Sequence, residues 1–504
     1  MASKRDASLS QPEMMAEAQS RASFDVEALT RVIYGDADTV RRRREAWARV
    51  EAVLGTLDTS RLPRRYAKTS REDLYIDGLR MGKAAWDDRA KSGHDFFDWM
   101  TPRLPLFNNS PFGLSTSMFI KMLELMASPE QKSRWLVPAT KGQINGAYMQ
   151  TELSHSTSVR GLETTATFNE SRDGFLLNTP TLSKTEPTRG GSNVYEEASY
   201  GTTLVARSKM ARVTSIQLAE AVIIAIQFST VRKRGNFTHG EDAPGTGVAI
   251  IQYKSQDYRL LTTLAKAYLM KWTRGFGGRP STAELPDDLT CLISPFTEKC
   301  SNACLIDSTN SNTRLLIFRH RAQHLIGKAD SRLVQGLKIG ETKAQVWSQH
   351  IVLLTSAARA HVEYLVLRDF VEATERVKDV AVGKVLCKLR SVFALSTITN
   401  PQSTDALSFV EEGFLSGIQL DTIRDAINSL LDDLLPEAIG LTDSWDLTDA
   451  ALSSAIGMKD GNAYETLMKW TEQLAINVAG RKDGGRHADT WGGYIRPAWT
   501  TSKL

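Results

Sequence analysis

Hydrophobic positions recur every three or four residues along most of this chain, a period that reads as amphipathic helix. The polar start Ser23-Phe24-Asp25 is followed by Val26, Leu29, Val32 and Ile33, which predicts a helix. A second is predicted over 37–54, with Trp47, Val50 and Val53 along one stripe. Others fit 72–89, 114–126 and 129–137. The first 20 or so residues are polar and read as loose. The character changes near Gly146. Residues 164–177 read as two short strands around the turn Asn169-Glu170-Ser171-Arg172-Asp173-Gly174, and by about Tyr200 the strand pattern has ended. Residues 217–231 are apolar on nearly all sides, which predicts a buried helix, and Arg232, Lys233 and Arg234 follow at its end, where cations favour the helix dipole. Helices are also predicted over 250–272, 344–373, 377–395 and 421–434. Residues 275–286 read as a loop, and 287–340 have weak periodicity and give no assignment.

Composition narrows the class without naming a chemistry. The 504 residues are 41% hydrophobic and 24% charged, ordinary values for a globular protein. A net charge of +4 is too small a surplus for a nucleic-acid footprint. No apolar run approaches the roughly 18 residues of a membrane span, the longest candidate at 221–228 being broken by Gln227. The N-terminus lacks an apolar leader segment, which argues against secretion. Four cysteines cannot make a disulfide scaffold, which fits a reducing interior. The last three residues, Ser502-Lys503-Leu504, have the form of a peroxisomal address read by an import receptor.

Residues 150–167 read Gln-Thr-Glu-Leu-Ser-His-Ser-Thr-Ser-Val-Arg-Gly-Leu-Glu-Thr-Thr-Ala-Thr. On composition this is a polar loop entering a strand. It nevertheless resembles the flavin loop of peroxisomal acyl-CoA oxidases, QTELGHGSNVRGLETTATY, and continues through 177–182 in a stretch similar to LN(S/T)PTL. The resemblance extends over most of the chain. Residues 22–26 look like the family's N-terminal helix start, and Ile251-Gln252-Tyr253-Lys254-Ser255-Gln256 is similar to (V)IDYKTQQ. Asp460-Gly461-Asn462-Ala463-Tyr464-Glu465 is similar to DGNVYE. The run Arg41-Arg42-Arg43-Arg44-Glu45 also resembles the family and reads as a solvated helix face.

The resemblance implies a mainly α fold, with acyl-CoA oxidase-like helical domains flanking a shortened β element. It implies a flexible N-terminus over 1–21, an N-terminal helical domain over 22–145 and a reduced β domain with the flavin loop over 146–199. A central helical domain over 200–340 and a C-terminal helical domain over 341–504 follow. It further implies FAD as cofactor, an acyl-CoA substrate, a homodimer, and transfer of hydrogen from the acyl chain to O2. Thr151 would bond the flavin ring. Gly190 would be a flavin contact within Glu186-Pro187-Thr188-Arg189-Gly190-Gly191, which aligns with KWWPGG. Arg232, in the segment matching VRRQFG, would reach a phosphate, with a helix-terminal cation as the equally weighted alternative.

Departures from the family are as specific as the matches. The two loop glycines are here Ser154 and Ser156, and the lysine and both tryptophans of KWWPGG are absent. After Gly191 most of the β domain is missing, since Tyr200-Gly201-Thr202-Thr203 already looks like the YGTM that opens the next helices. CGGHGY has no counterpart. The base glutamate of EGEN falls near Thr309, which cannot act as a base near neutral pH, and Asp307 is a weak substitute. No catalytic residue is therefore assigned. A catalytically inactive relative acting as a regulatory or structural partner is the alternative, and a mistranslated exon boundary would leave the same gaps. Cys300 and Cys304 followed by His320 and His324 approach a zinc spacing, but the spacer exceeds the zinc-finger value of about 12, and no metal is assigned. His155 reads as a local hydrogen-bonding residue, and His350 and His361 as satisfied polar positions on a helix.

Overall fold

A computed structural model gives the architecture. It describes residues 9–54, 62–63, 70–92, 113, 115–147, 163–178, 196–235, 247–272, 311–400, 409–410, 413–475 and 477–478. The fold is mainly helical, as the period implies. The chain divides into two compact units, Met1–Ser70 with Ala211–Leu504, and Arg71–Met210.

The larger unit begins with α1 (Gln11–Ser20), α2 (Val26–Tyr34) and α3 (Ala37–Leu54). The polarity of residues 11–20 predicts a loose segment, yet they form a helix. Ser10 and Glu13 cap each other's backbone N–H groups, Pro12 sits in the first turn, and Met15 is buried. The smaller unit holds α4 (Arg71–Ser92), then a wide π turn at Ser115–Phe119 that runs into α5 (Ile120–Met126). A second π turn, Lys132–Leu136, joins Pro129–Gln131 to Val137–Thr140. The two strands expected near 164–177 are β1 (Thr165–Asn169) and β2 (Gly174–Asn178). They pair antiparallel from Thr165↔Asn178 to Asn169↔Gly174. Asp173 takes the left-handed conformation at the turn, and the Asn169 side chain accepts the Arg172 N–H. Phe168 and Phe175 meet edge to face at 5.5 Å, yet both rings and Leu176 are exposed.

α6 (Glu196–Val231) crosses from the smaller unit to the larger. Its stretch Val213–Val231 is apolar and long enough for a membrane span by length and composition. Its buried residues Ile216, Ala219, Val222, Ile223 and Ile226 belong to the hydrophobic core, so its low polarity has a packing cause. Beyond it β3 (Lys233–Arg234) pairs with β4 (Val248–Ala249). Then come α7 (Lys254–Trp272), α8 (Ser311–Lys338), α9 (Lys343–Gln349), α10 (Ile351–Thr374), α11 (Val380–Ile398), α12 (Gly417–Leu434), α13 (Ala438–Asp443) and α14 (Ala463–Gln473). α8 packs along α10, and α11 packs on both α7 and α12. The helix expected over 344–373 is broken at His350, which ends α9 and begins α10. Aromatic rings fill the centre. Tyr268 meets Trp445 at 5.2 Å and donates its hydroxyl to the Leu441 carbonyl at 2.7 Å, and Trp272 meets Phe370 at 5.3 Å.

The N-terminal helices of this unit are tied to a segment more than four hundred residues away. Ser23 donates its N–H and hydroxyl to Glu437 at 2.8 and 2.6 Å. Thr30 donates to the Ser444 carbonyl, and Tyr34 to the Trp445 carbonyl at 2.7 Å. Arg43, its side chain 6% exposed, pairs with Asp446 at 2.6 Å. Gly440 permits the approach, since a Cβ there would lie 2.7 Å from that of Ala22.

Candidate functional site

Of the residues assigned from sequence, Thr151, Gly190, Ser502, Lys503 and Leu504 lie outside the described residues, as do His155, Cys300, Cys304, Asp307 and Thr309. The structure does describe the approach to the 150–167 motif. Ser115 is 1% exposed, and its hydroxyl oxygen accepts the Gly146 N–H at 3.0 Å. A Cβ on Gly146 would fall within the Phe119 ring, at the end of the π turn that Ser115 opens. Four residues earlier Gly142 has φ +72°, and the Trp86 indole fills the place its Cβ would take. Two glycines therefore seat this backbone against two aromatic rings. Gly146 stands where the sequence pattern changes character. Ser115 and Phe119 carry no sequence signal, because each meets Gly146 from far along the chain, Ser115 across 31 positions.

Arg232 stands just past the C-terminal end of α6. It is exposed, with its guanidinium 5.3 Å from the centre of the Phe228 ring. Phe228 in turn meets Tyr464 edge to face at 6.3 Å. The Arg232 carbonyl accepts the Ile250 N–H, so the backbone beneath the side chain is fixed. Lys233 and Arg234 are also exposed, and Tyr253 donates its hydroxyl to the Arg234 carbonyl at 2.5 Å. Arg232 is thus both a helix-terminal cation and an outward guanidinium able to meet an anion.

Two further motifs lie among the described residues and make packing and hydrogen-bond contacts. In the 251–256 motif Lys254 pairs with Asp432 and lies 3.3 Å from Asp257, which is fully buried. Burial raises the Asp257 carboxyl above its ordinary value, and the nearby ammonium opposes that rise. In the 460–465 motif Gly461 has φ +78°, and Met15 and Gln11 of α1 close over it. Tyr464 donates its N–H to the Gln11 side chain, and Asn462 bonds Glu465, holding that carboxyl below its usual range. His320 of the zinc-like spacing lies flat on Phe414, with ring centres 3.9 Å apart.

Three family models match the chain in succession. The acyl-coenzyme A oxidase N-terminal model matches residues 25–145, the acyl-CoA oxidase C-alpha1 domain model 200–276, and the acyl-CoA oxidase model 310–496. The chain belongs to the acyl-CoA oxidase family. It is 23% identical to acyl-coenzyme A oxidase acox-1.4 of Caenorhabditis elegans, over 92% of this chain and 95% of that one. It is 22% identical to peroxisomal acyl-coenzyme A oxidase 1 of Homo sapiens, over 94% and 98%. The nematode alignment spans 643 positions, more than the 504 residues present here, so stretches of that relative have no counterpart in this chain. Among solved structures, acyl-CoA oxidase-2 of C. elegans, bound with FAD, ascaroside-CoA and ATP, matches with a TM-score of 0.81 at 20% identity, over 99% of each chain.

Proposed function

We propose that this protein binds FAD and oxidises a fatty acyl-CoA at its α and β carbons. The acyl chain loses two hydrogens to become trans-2-enoyl-CoA, and O2 gains them to become hydrogen peroxide. The observation that carries this reading is the 150–167 motif, set in a fold that matches a FAD-bound acyl-CoA oxidase along 99% of its length. When bound, FAD would supply the hydride acceptor and the path of electrons to O2.

The chain's own residues would then bind and orient. The Thr151 hydroxyl would bond the ring, Gly190 would permit close approach, and Arg232 would meet the phosphates. The exposed, ring-supported Arg232 guanidinium suits an anionic group of that kind. The α proton needs a carboxylate at hydrogen-bonding distance, and Thr309 stands near the position where the family has one. That substitution favours a second reading, in which the chain binds flavin without turnover and acts as a partner of an intact oxidase.

One preparation separates the readings. The protein expressed as written is purified, its visible flavin absorption recorded, and peroxide measured after acyl-CoA is added. A yellow protein releasing peroxide supports the oxidase, and a yellow silent protein supports the partner. A colourless protein that takes up no added FAD overturns both.

The terminal Ser502-Lys503-Leu504 and the relatives named peroxisomal support a peroxisomal location. Loss of punctate import on deleting those three residues from a fluorescent fusion checks it. A homodimer is supported by exposed apolar side chains on α8, α9 and α10, among them Leu337, Trp347, Ile351 and Val352. A light-scattering mass near twice 55.8 kDa would agree.

A further inference from the structure

We propose that Phe228, braced by Tyr464, is a positioning residue that holds the Arg232 guanidinium in place for a phosphate. The proposal rests on the reading above in which Arg232 meets the FAD phosphates, and it adds two residues that act through the arginine and not on the cofactor.

Three cations follow one another at the end of α6, and the structure treats one of them differently. Arg232, Lys233 and Arg234 are all exposed, and none has a carboxylate partner among the described residues. Of the three, only Arg232 lies over an aromatic ring among those residues, its guanidinium 5.3 Å from the Phe228 ring centre. Its backbone is fixed on both sides. The Arg232 N–H donates to the Phe228 carbonyl at 3.0 Å, and the Arg232 carbonyl accepts the Ile250 N–H at 2.9 Å.

An arginine at a helix C-terminus has a competing use. Its guanidinium can fold onto the last carbonyls, which lack intrahelical donors and form the negative end of the dipole. That end also disfavours an anion. A guanidinium that serves a phosphate must therefore be held off those carbonyls with its N–H edge open. A ring supplies this hold, since a planar guanidinium can face it and still present its N–H edge. An arginine loses rotamer freedom when it clamps a ligand, and one already seated on a ring has less to lose.

Phe228 is itself placed. It is half-buried against the hydrophobic core, and Tyr464 meets it edge to face at 6.3 Å, with 84° between the rings. Tyr464 stands in the first turn of α14, and its N–H donates to the Gln11 side chain of α1. A Cβ on Gly461 would lie 3.2 Å from the Val231 side chain. The turn that carries Tyr464 thus packs on the residue before Arg232, and all of these residues belong to the larger unit.

The test is a double-mutant cycle on the full chain, read as FAD affinity by titration into apoprotein, with the thermal midpoint alongside. Arg232→Ala should weaken FAD binding about tenfold or more, and Arg234→Ala should bind like wild type. Phe228→Leu should weaken binding about threefold in the wild-type background and have no effect on it in the Arg232→Ala background, since the ring acts only through that side chain. Tyr464→Leu should show the same dependence on Arg232, and Tyr464→Phe, which keeps the ring, should bind like wild type. A phenylalanine that only filled space would lower the midpoint and weaken FAD binding equally in both backgrounds or in neither, and either result overturns the proposal. Equal losses in Arg232→Ala and Arg234→Ala would also overturn it, because a diffuse positive patch would then hold the phosphate. Should Phe228→Leu not fold, Phe228→Met carries the comparison on the same criteria. Wild-type affinity in Arg232→Ala would remove this proposal and leave the flavin reading standing, whereas wild-type protein that takes up no FAD would remove both.

Discussion

Arg43 is one of four arginines in a row, and the structure distinguishes it from its neighbours. Arg41 and Arg42 make exposed pairs with Asp38 and Glu45 on their own helix, worth little in water. Arg43 is buried, sits 4.0 Å from the Tyr34 ring centre, and pairs with Asp446, which is itself held in a left-handed conformation. Removing one member of such a pair strands the other, so Arg43→Ala should cost about 3 kcal/mol while Arg42→Ala stays within about 0.5 kcal/mol in urea unfolding. The Asp443 and Asp449 carboxyls lie in the same region. Burial is the largest cause in each and raises both above their ordinary values, against the opposing pull of Lys459. A carboxyl raised on folding contributes stability that is full below its unfolded value of about 3.9 and is lost as pH rises through the folded value. Asp443→Asn should therefore gain on wild type at neutral pH, and the gain should vanish as pH falls towards 4. Thermal midpoints of both proteins across that range check the sign.

At the level of elements, α1 shows how a polar segment becomes ordered. Its own helix is short, and what holds it is docking on the 460–465 turn through Met15 and Gln11. Gly461→Ala would force a Cβ into a left-handed backbone, 2.6 Å from that of Met15. A loss of about 2 kcal/mol or more is expected, read as a lower urea midpoint. With Met15 as its one buried side chain, α1 leaves almost no hydrophobic period, which is why these residues read as loose. α3 was legible because Val40, Ala46 and Trp47 are buried at helical spacing. α8 was not. Arg314 and Arg321 on its inner face are 2% and 4% exposed, and Arg321 is paired with Glu363 at 2.5 Å. Buried cations interrupt the apolar stripe from which a helix is read, and their partners are invisible until the fold forms.

At the scale of the whole protein the family was legible from motifs, because a flavin loop and a helix-entry turn each need particular residues at fixed spacing. Arg232 is read as a phosphate contact from the same kind of match, and the structure adds that its guanidinium is exposed over the Phe228 ring. The Ser115–Gly146 seat was not legible, since it joins two segments that carry no motif of their own. If the chain binds FAD only when folded, free FAD at a hundred times its dissociation constant should add about 2.7 kcal/mol to the stability, seen as a rise in thermal midpoint. No rise would count against the cofactor assignment.

The ties from Ser23, Thr30 and Tyr34 to residues 437–445 also set a timetable. A ribosome adding about 5–20 residues per second needs on the order of 20–80 s to deliver their partners. Until residues 437–445 emerge, α2 lacks the contacts that close it against that segment, and a chaperone has the opportunity to hold its apolar face. Nascent chains stalled before residue 437 should be cut readily by protease around Leu29 and Ile33, whereas chains extended past Glu465 and released should resist.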